Sequence, residues 1–126
     1  EAPIGVLRTA LRDSYRAMVR ETVAVAAALG HPAAEDPAAY VERVLALADQ
    51  QPEHATTSMQ RDIAAGLPSE LDAQVGAVCR AGAEAGVPTP VHDLVLAALA
   101  PRERASRGRR RIICGPIDQQ VLRTSP

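Results

Sequence analysis

Apolar residues recur every three or four positions along most of this chain, and only a few short stretches interrupt them. Ile4, Leu7, Leu11, Tyr15, Met18, Val19, Val23 and Ala27 make the first stripe. That spacing predicts one long amphipathic helix with a single face turned to a core. Arg8, Arg12, Arg16, Arg20 and Glu21 fall off the stripe. Gly30 followed by His31-Pro32 is a stop signal, with the glycine free to take a left-handed cap. Asp36-Pro37 then starts a second helix. The aspartate is the expected cap, and proline is tolerated at the first helical position, where an N–H would have no partner. Val41, Val44, Leu45 and Ala48 form its buried face, and Gln51-Pro52 ends it.

From Ser58 to Pro90 the pattern changes to SMQRDIAAGLPSELDAQVGAVCRAGAEAGVPTP. Met59 and Ile63 share one face of a short helix that Gly66-Leu67-Pro68 breaks. Ser69 opens another helix, with Leu71, Val75, Val78 and Cys79 as its stripe until Gly86. Ser69 with Asp72 three residues on resembles a capping box. Thr89-Pro90 repeats the cap-plus-proline device. Val91, Leu94, Val95, Ala98 and Leu99 complete a final helix expected to end near Pro101. No run alternates with strand periodicity. The expectation is all-α, a bundle of about five helices in one domain over 1–101, followed by a basic, irregular tail at 102–126.

Composition narrows the possibilities. In 126 residues, hydrophobic types make up 47% but aromatics only 2%, so Ala, Val, Leu and Ile must build the core. The formal net charge is −1, which gives no global field toward nucleic acid or an anionic membrane. There is no lysine, and six of the arginines fall between 102 and 111. With almost no aromatics for base stacking, that run reads as a solvated tail rather than a nucleic-acid contact. Cys79 and Cys114 are too few for a disulfide framework or a zinc site, and Cys79 lies among apolar neighbours as a small hydrophobe. No signal peptide or bilayer-length apolar run is present, so the expected setting is cytoplasmic, with no membrane partner.

Candidate chemistry gathers at the 66–68 hinge, which is expected to bring a hydroxyl and carboxylates together. Ser58 has two readings, an N-cap or a hydroxyl aimed at a ligand carboxylate. Glu70 likewise is either an acid favoured by the helix dipole or an acceptor for hydroxyls of a cofactor or substrate. Asp62 and Asp72 read as solvated or capping groups. His31, His54 and His92 have no metal-ligand spacing, so no metal is expected. Neither a nucleophile–base pair nor a phosphate-cradling glycine loop stands out. These residues alone give a helical domain with a ligand-facing hinge, and no reaction.

The same stretch resembles the C-terminal domain of the ketopantoate reductase (2-dehydropantoate 2-reductase) family, whose fold is of the 6-phosphogluconate dehydrogenase C-terminal-like kind. Ser58, Met59, Asp62, Ile63, Gly66, Glu70, Asp72 and Gly76 match one part of its pattern. Gly86-Val87-Pro88-Thr89-Pro90 matches the next, and the likeness covers roughly residues 5–100. The resemblance implies NADPH-dependent reduction of 2-dehydropantoate to pantoate, on the route to pantothenate and coenzyme A. It places the active site between a Rossmann domain and this helical one. By position, Ser58 would bind substrate and Glu70 would lie in the cleft toward cofactor or substrate.

The departures from the pattern are as specific as the matches. The family's general acid is a lysine on a helix upstream, and this chain has none. The dinucleotide domain is absent, and Ala55, Val75 and His92 stand where family asparagines often occur. The resemblance therefore implies the substrate-binding and dimer-forming portion of such an enzyme, as a fragment or a stand-alone descendant. The chain alone is expected to be inactive and to bind no NADPH, with a small 2-oxo acid as substrate only when the Rossmann half is supplied. The competing reading is a non-catalytic helical module whose partner is a second copy of itself.

Overall fold

The computed structural model describes residues 3–31 and 36–113, with side chains through residue 108. A 3-10 turn at Ile4–Arg8 leads into α1 (Arg12–Ala28) and α2 (Pro37–Asp49). The short α3 (Ser58–Ala64) follows. A π-helical turn at Asp72–Gly76 then runs directly into α4 (Ala77–Ala85), and α5 (Pro90–Ile113) closes the order. Among the described residues there is no strand, so the architecture is an all-α bundle of five helices.

α1 is the central element, in contact with α2, α4 and α5. Val19 and Val23 of α1 meet Val41 and Leu45 of α2, with Tyr15, Tyr40 and Val44 packed around them. Leu45 has no exposed surface. A second buried pair, Leu71 and Val75, lies under the π turn, which packs on α5. The arginines off the first stripe staple α1 to α2. Arg12 forms a bidentate pair with Asp49 at 2.7 and 2.9 Å, and Arg16 pairs with Glu42. These partly exposed pairs set register more than stability.

Three helix boundaries differ from expectation. The predicted long first helix splits at 9–11. Backbone bonds from Ile4 N–H to Ala55 O (2.9 Å) and Gly5 N–H to Glu53 O (3.0 Å) hold the first turn against a distant connection. Arg8 donates to the carbonyls of Ala48 and Gln51 at the end of α2. At α3 the cap is Thr57, whose hydroxyl accepts from Gln60 N–H at 3.2 Å, and Ser58 is the first helical residue. The expected end of α5 near Pro101 is also corrected, because the helix runs through that proline to Ile113. The rest of the expected tail, 114–126 with Cys114, lies outside the described residues.

The continuation past Pro101 has a physical cause. A proline inside a helix costs about 3 kcal/mol through its lost N–H and a ring clash. One turn later, Glu103 and Ser106 are buried at 8% and 4% exposure, although both are polar. Glu103 accepts from Ser69 N–H at 3.1 Å and from Ser69 Oγ–H at 2.7 Å. Hydrogen bonds to a buried charged group are worth roughly 1.5–3 kcal/mol each, so two of them offset the proline.

The other expected devices are present or replaced. Asp36 caps α2 through Ala39 N–H at 3.0 Å, as its position predicts. α4 ends at Gly86 with φ +69°, and Val87 N–H bonds back to Gly82 O at 2.8 Å. Gly82 allows this turn to close. A Cβ there would stand 2.8 Å from both Val87 O and Thr89 Cγ2.

Two alanine substitutions should move in opposite directions in urea unfolding. Gly82→Ala, crowded against backbone, should destabilise by about 1–3 kcal/mol. Gly108→Ala, with open space around it inside the extended α5, should stabilise by up to about 1 kcal/mol. A destabilising Gly108→Ala would contradict a helix continuing past Pro101.

Candidate functional site

The loop 65–69 turns the chain between α3 and the π turn. Gly66 takes φ +68°, and Leu67 N–H closes the turn onto Asp62 O at 2.8 Å. Leu67 is half exposed. α3 contributes no fully buried residue, so it lies on the bundle surface.

With Thr57 as the cap, the Ser58 hydroxyl is exposed and has no intramolecular hydrogen bond among the described residues. The expected Ser69–Asp72 capping box does not form. Ser69 Oγ instead accepts from Leu71 N–H at 3.2 Å and donates to Glu103. Glu70 is exposed, and one of its oxygens accepts from Gln74 Nε2 at 2.7 Å. Asp72 pairs with Arg80 at 2.9 Å on the surface. No hydrogen bond or ion pair joins Ser58, Asp62, Glu70 and Asp72 to one another among the described residues. The gathering of polar groups expected at the hinge is therefore not a direct contact. Ser58 and Glu70 stand as two separate polar groups, one on either side of the turn.

The buried polar groups lie elsewhere. Glu21, on α1, accepts from Val91 N–H at 2.7 Å and from His92 N–H at 3.0 Å. The same carboxylate is 2.7 Å from His92 Nδ1, which must donate because an ionised carboxylate only accepts. His92 Nε2 lies 3.3 Å from Thr22 Oγ1. Burial by itself would raise the Glu21 carboxyl. The His92 ring and the two amides outweigh it and hold the group below its ordinary range. Glu103 follows the same logic: burial raises it, while Ser69 and Arg107 bring it below the ordinary value. Burial pushes the Cys79 thiol up, and Asp93 adds to the rise, so it is no thiolate nucleophile.

Sequence reasoning left Glu21 off the stripe of α1, gave His92 no partner and left Glu103 in the expected tail, although a signal for two of them was available. Positions 92, 95, 99, 103 and 106 continue the inward stripe of α5 at helical spacing. Their residue types, rather than their phase, hid 103 and 106. Glu21 sits off the apolar stripe of α1, and nothing local marks its partner 70 residues away.

No group of three or more metal-ligating side chains occurs among the described residues, and no helix there is long and apolar enough to cross a membrane. A cavity of about 560 Å³ opens between α1 and α2, walled chiefly by Val23, Ala24, Pro37 and Val41. None of the hinge residues lines it.

Among the described residues, an all-helical bundle carries an exposed serine and an exposed carboxylate on either side of a glycine turn. The chain belongs to the family described as ketopantoate reductase PanE/ApbA C terminal, whose model matches residues 1–103. It is also similar to the 2-dehydropantoate 2-reductase of Caulobacter vibrioides, at 37% identity over 84 residues. That match covers 67% of this chain and 28% of the relative, so the chain spans less than a third of the relative's length. No solved structure matches it.

The two depressed carboxyls set the acid behaviour of the fold. A carboxyl whose folded pKa lies below its unfolded value contributes stability that is complete above the unfolded value, and loses it as pH falls through the folded one. Urea stability should therefore hold at neutral pH and fall once the pH drops below about 4.5, the ordinary value for both groups. Glu103→Gln should lower stability at neutral pH and flatten the acid-side slope. Glu103→Ala should cost about 1–3 kcal/mol for each buried Ser69 donor left unpaired. An acid slope identical in wild type and Glu103→Gln would show that Glu103 is not held as a charged cap.

Proposed function

We propose that this chain is the substrate-side portion of a ketopantoate reductase-like enzyme, which reduces 2-dehydropantoate to pantoate with NADPH. The observation that carries the reading is Ser58. By its resemblance to the family pattern it stands where the family has a serine, and its hydroxyl is left free because Thr57 performs the capping. A free hydroxyl at a helix start can donate to the carboxylate or ketone oxygen of a 2-oxo acid. Glu70, exposed across the turn, is placed to accept from a hydroxyl or amide in the same cleft.

The described residues do not fit a dinucleotide on their own. They include no strand and no glycine-rich strand–turn–helix, so cofactor binding and proton donation belong to the part of the enzyme outside this chain. Without those parts the isolated chain has no hydride donor and no lysine acid, and is inactive. Its role is to bind and orient the substrate and to close one side of the cleft.

A second reading, self-association without catalysis, is favoured by one feature. α5 presents Pro90, Leu94, Ala97, Ala98 and Pro101 outward, with Leu94 70% exposed. An apolar helix face of this kind is usually covered by a second surface. We assign it to a homodimer contact, which is compatible with the reductase reading.

The test is a chimera in which this chain replaces the matched segment of the Caulobacter reductase. It should oxidise NADPH in the presence of 2-dehydropantoate, whereas the chain alone should not. Ser58→Ala in the chimera should raise KM roughly tenfold, the effect of one lost hydrogen bond. A folded chimera with no activity toward any 2-oxo acid would defeat the reductase reading. The self-association reading alone would then remain, and it predicts a concentration-dependent sedimentation coefficient.

A further inference from the structure

The expectation of a solvated tail rested on an irregular backbone from Arg102 onward and on the lack of aromatics for base stacking. α5 instead carries residues 102–111 as a helix, with Glu103 and Ser106 buried against the bundle. That stretch holds six arginines against one glutamate, whereas residues 1–101 hold seven arginines against thirteen acids. A chain of almost no net charge is therefore sharply divided, acidic over the bundle and basic along the end of one helix. The family match ends at residue 103, so five of these six arginines lie beyond it.

Partners within the fold use up little of that charge. Arg107 Nε bonds Glu103 at 2.8 Å, and its Nη2 donates to Ser69 O at 3.1 Å. Arg102 and Arg104 are exposed and have no hydrogen bond or ion pair among the described residues. On the acidic part, by contrast, Arg12, Arg16 and Arg80 each pair with a carboxylate. Positions 109, 110 and 111 add three more arginines to the same helix. At 1.5 Å per residue, 102 to 111 spans about 13 Å, and the arginine positions ring the helix rather than follow one stripe. The partial charge at a helix C-terminus, about −0.5, is small against them.

The geometry points to a contact surface for the sugar–phosphate backbone of duplex nucleic acid at the C-terminal end of α5, made by Arg102, Arg104 and the arginines at 109–111. A guanidinium offers parallel N–H donors that match phosphate oxygens, and a duplex presents one negative charge per roughly 1.7 Å of its axis. Aromatics are needed to stack the bases of a single strand, not to hold a duplex backbone. An anionic membrane fits less well. A helix lying in a bilayer surface needs an apolar face, and the other positions in 102–111 are Glu103, Ala105, Ser106 and Gly108. An acidic protein surface would meet the helix from one side, whereas a major groove, about 12 Å wide, flanks it with phosphates on both. The acidic bundle keeps a polyanion off the rest of the molecule, so contact is confined to this end. The surface does not depend on the reductase reading. Backbone contacts carry no base preference, and a dissociation constant on the order of 0.1 mM is expected at physiological salt.

The experiment titrates the whole 126-residue chain into a fluorescently labelled DNA duplex of mixed sequence, read by anisotropy at several salt concentrations. Phosphatidylserine vesicles and polyglutamate serve as comparison probes. Saturable binding is expected, weakening roughly fiftyfold between about 50 and 200 mM salt, as release of about three counterions requires. Unlabelled duplexes of unrelated sequence should compete equally well. Replacing the arginines at 109–111 together by glutamine should weaken binding tenfold or more and flatten the salt dependence. The pair Arg102→Gln and Arg104→Gln should do so to a lesser degree, with helix content by circular dichroism unchanged. Arg43→Gln removes one cation from α2, away from this surface, and should leave the affinity as it was. The assignment is overturned if the duplex does not saturate, if binding ignores salt, or if the glutamine variants bind as the unaltered chain does. It is overturned too if Arg43→Gln weakens binding as much as they do, which would mean a response to net charge alone. Tighter capture by the vesicles or by polyglutamate than by the duplex would assign the surface to a membrane or an acidic protein and equally defeat it.

Discussion

The carboxylate of Glu21 does the work of an N-cap for a helix that begins 70 residues later. A helix start leaves four N–H groups without partners, and a local Ser, Thr or Asp usually takes one of them. At α5 the local candidate, Thr89, is buried against α4, with its hydroxyl near Asp93. Val91 and His92 donate their amides to Glu21 instead, and the His92 ring adds a third donor. Burying a carboxylate is costly unless its lone pairs are filled. Here two amides and a ring N–H fill them, and the helix dipole points the favourable way. One side chain thus fixes where α5 starts and presses that start against α1.

Glu103 repeats the device in the opposite sense. It lies in the second half of α5 and caps the start of the preceding helical segment at Ser69. α5 is therefore held near its start by a carboxylate from α1, and supplies a carboxylate of its own further on. The same bond lets the helix cross Pro101. Arg107 Nε adds a bond to Glu103 at 2.8 Å, but its side chain is 59% exposed, so it contributes less than the two bonds from Ser69. The Ser69 contact also bears on the hinge. The backbone just before Glu70 is locked, which leaves the Glu70 side chain on a rigid mount.

How much of this was legible follows from the range of each interaction. Stripes of Val, Leu and Ile with glycine and proline punctuation gave the helix count, the Asp36 cap and the turn at Gly86, because each is decided within a few residues. The break after Arg8 was not legible, since the bonds that cause it come from Glu53 and Ala55. Nor was the run of α5 past Pro101, where local propensity favours a stop and a distant serine reverses it. At the candidate site, the pattern pointed to Ser58 and Glu70, but spacing could not show that Thr57 would act as the cap. It placed them on either side of the turn without showing that no hydrogen bond joins them among the described residues.

That separation alters what the two residues can do. A hydroxyl and a carboxylate in direct contact would satisfy each other and make a structural pair. Kept apart on either side of a fixed turn, each retains an unfilled valence toward solvent. Ser58 has its whole hydroxyl free, and Glu70 has the oxygen that Gln74 does not use. Unfilled valences on a rigid frame suit a surface that meets something else, because little ordering is needed when the ligand arrives. What the chain presents is a pair of exposed polar groups, and the backbone beside Glu70 is held by Ser69, Glu103 and the unbroken α5 behind them.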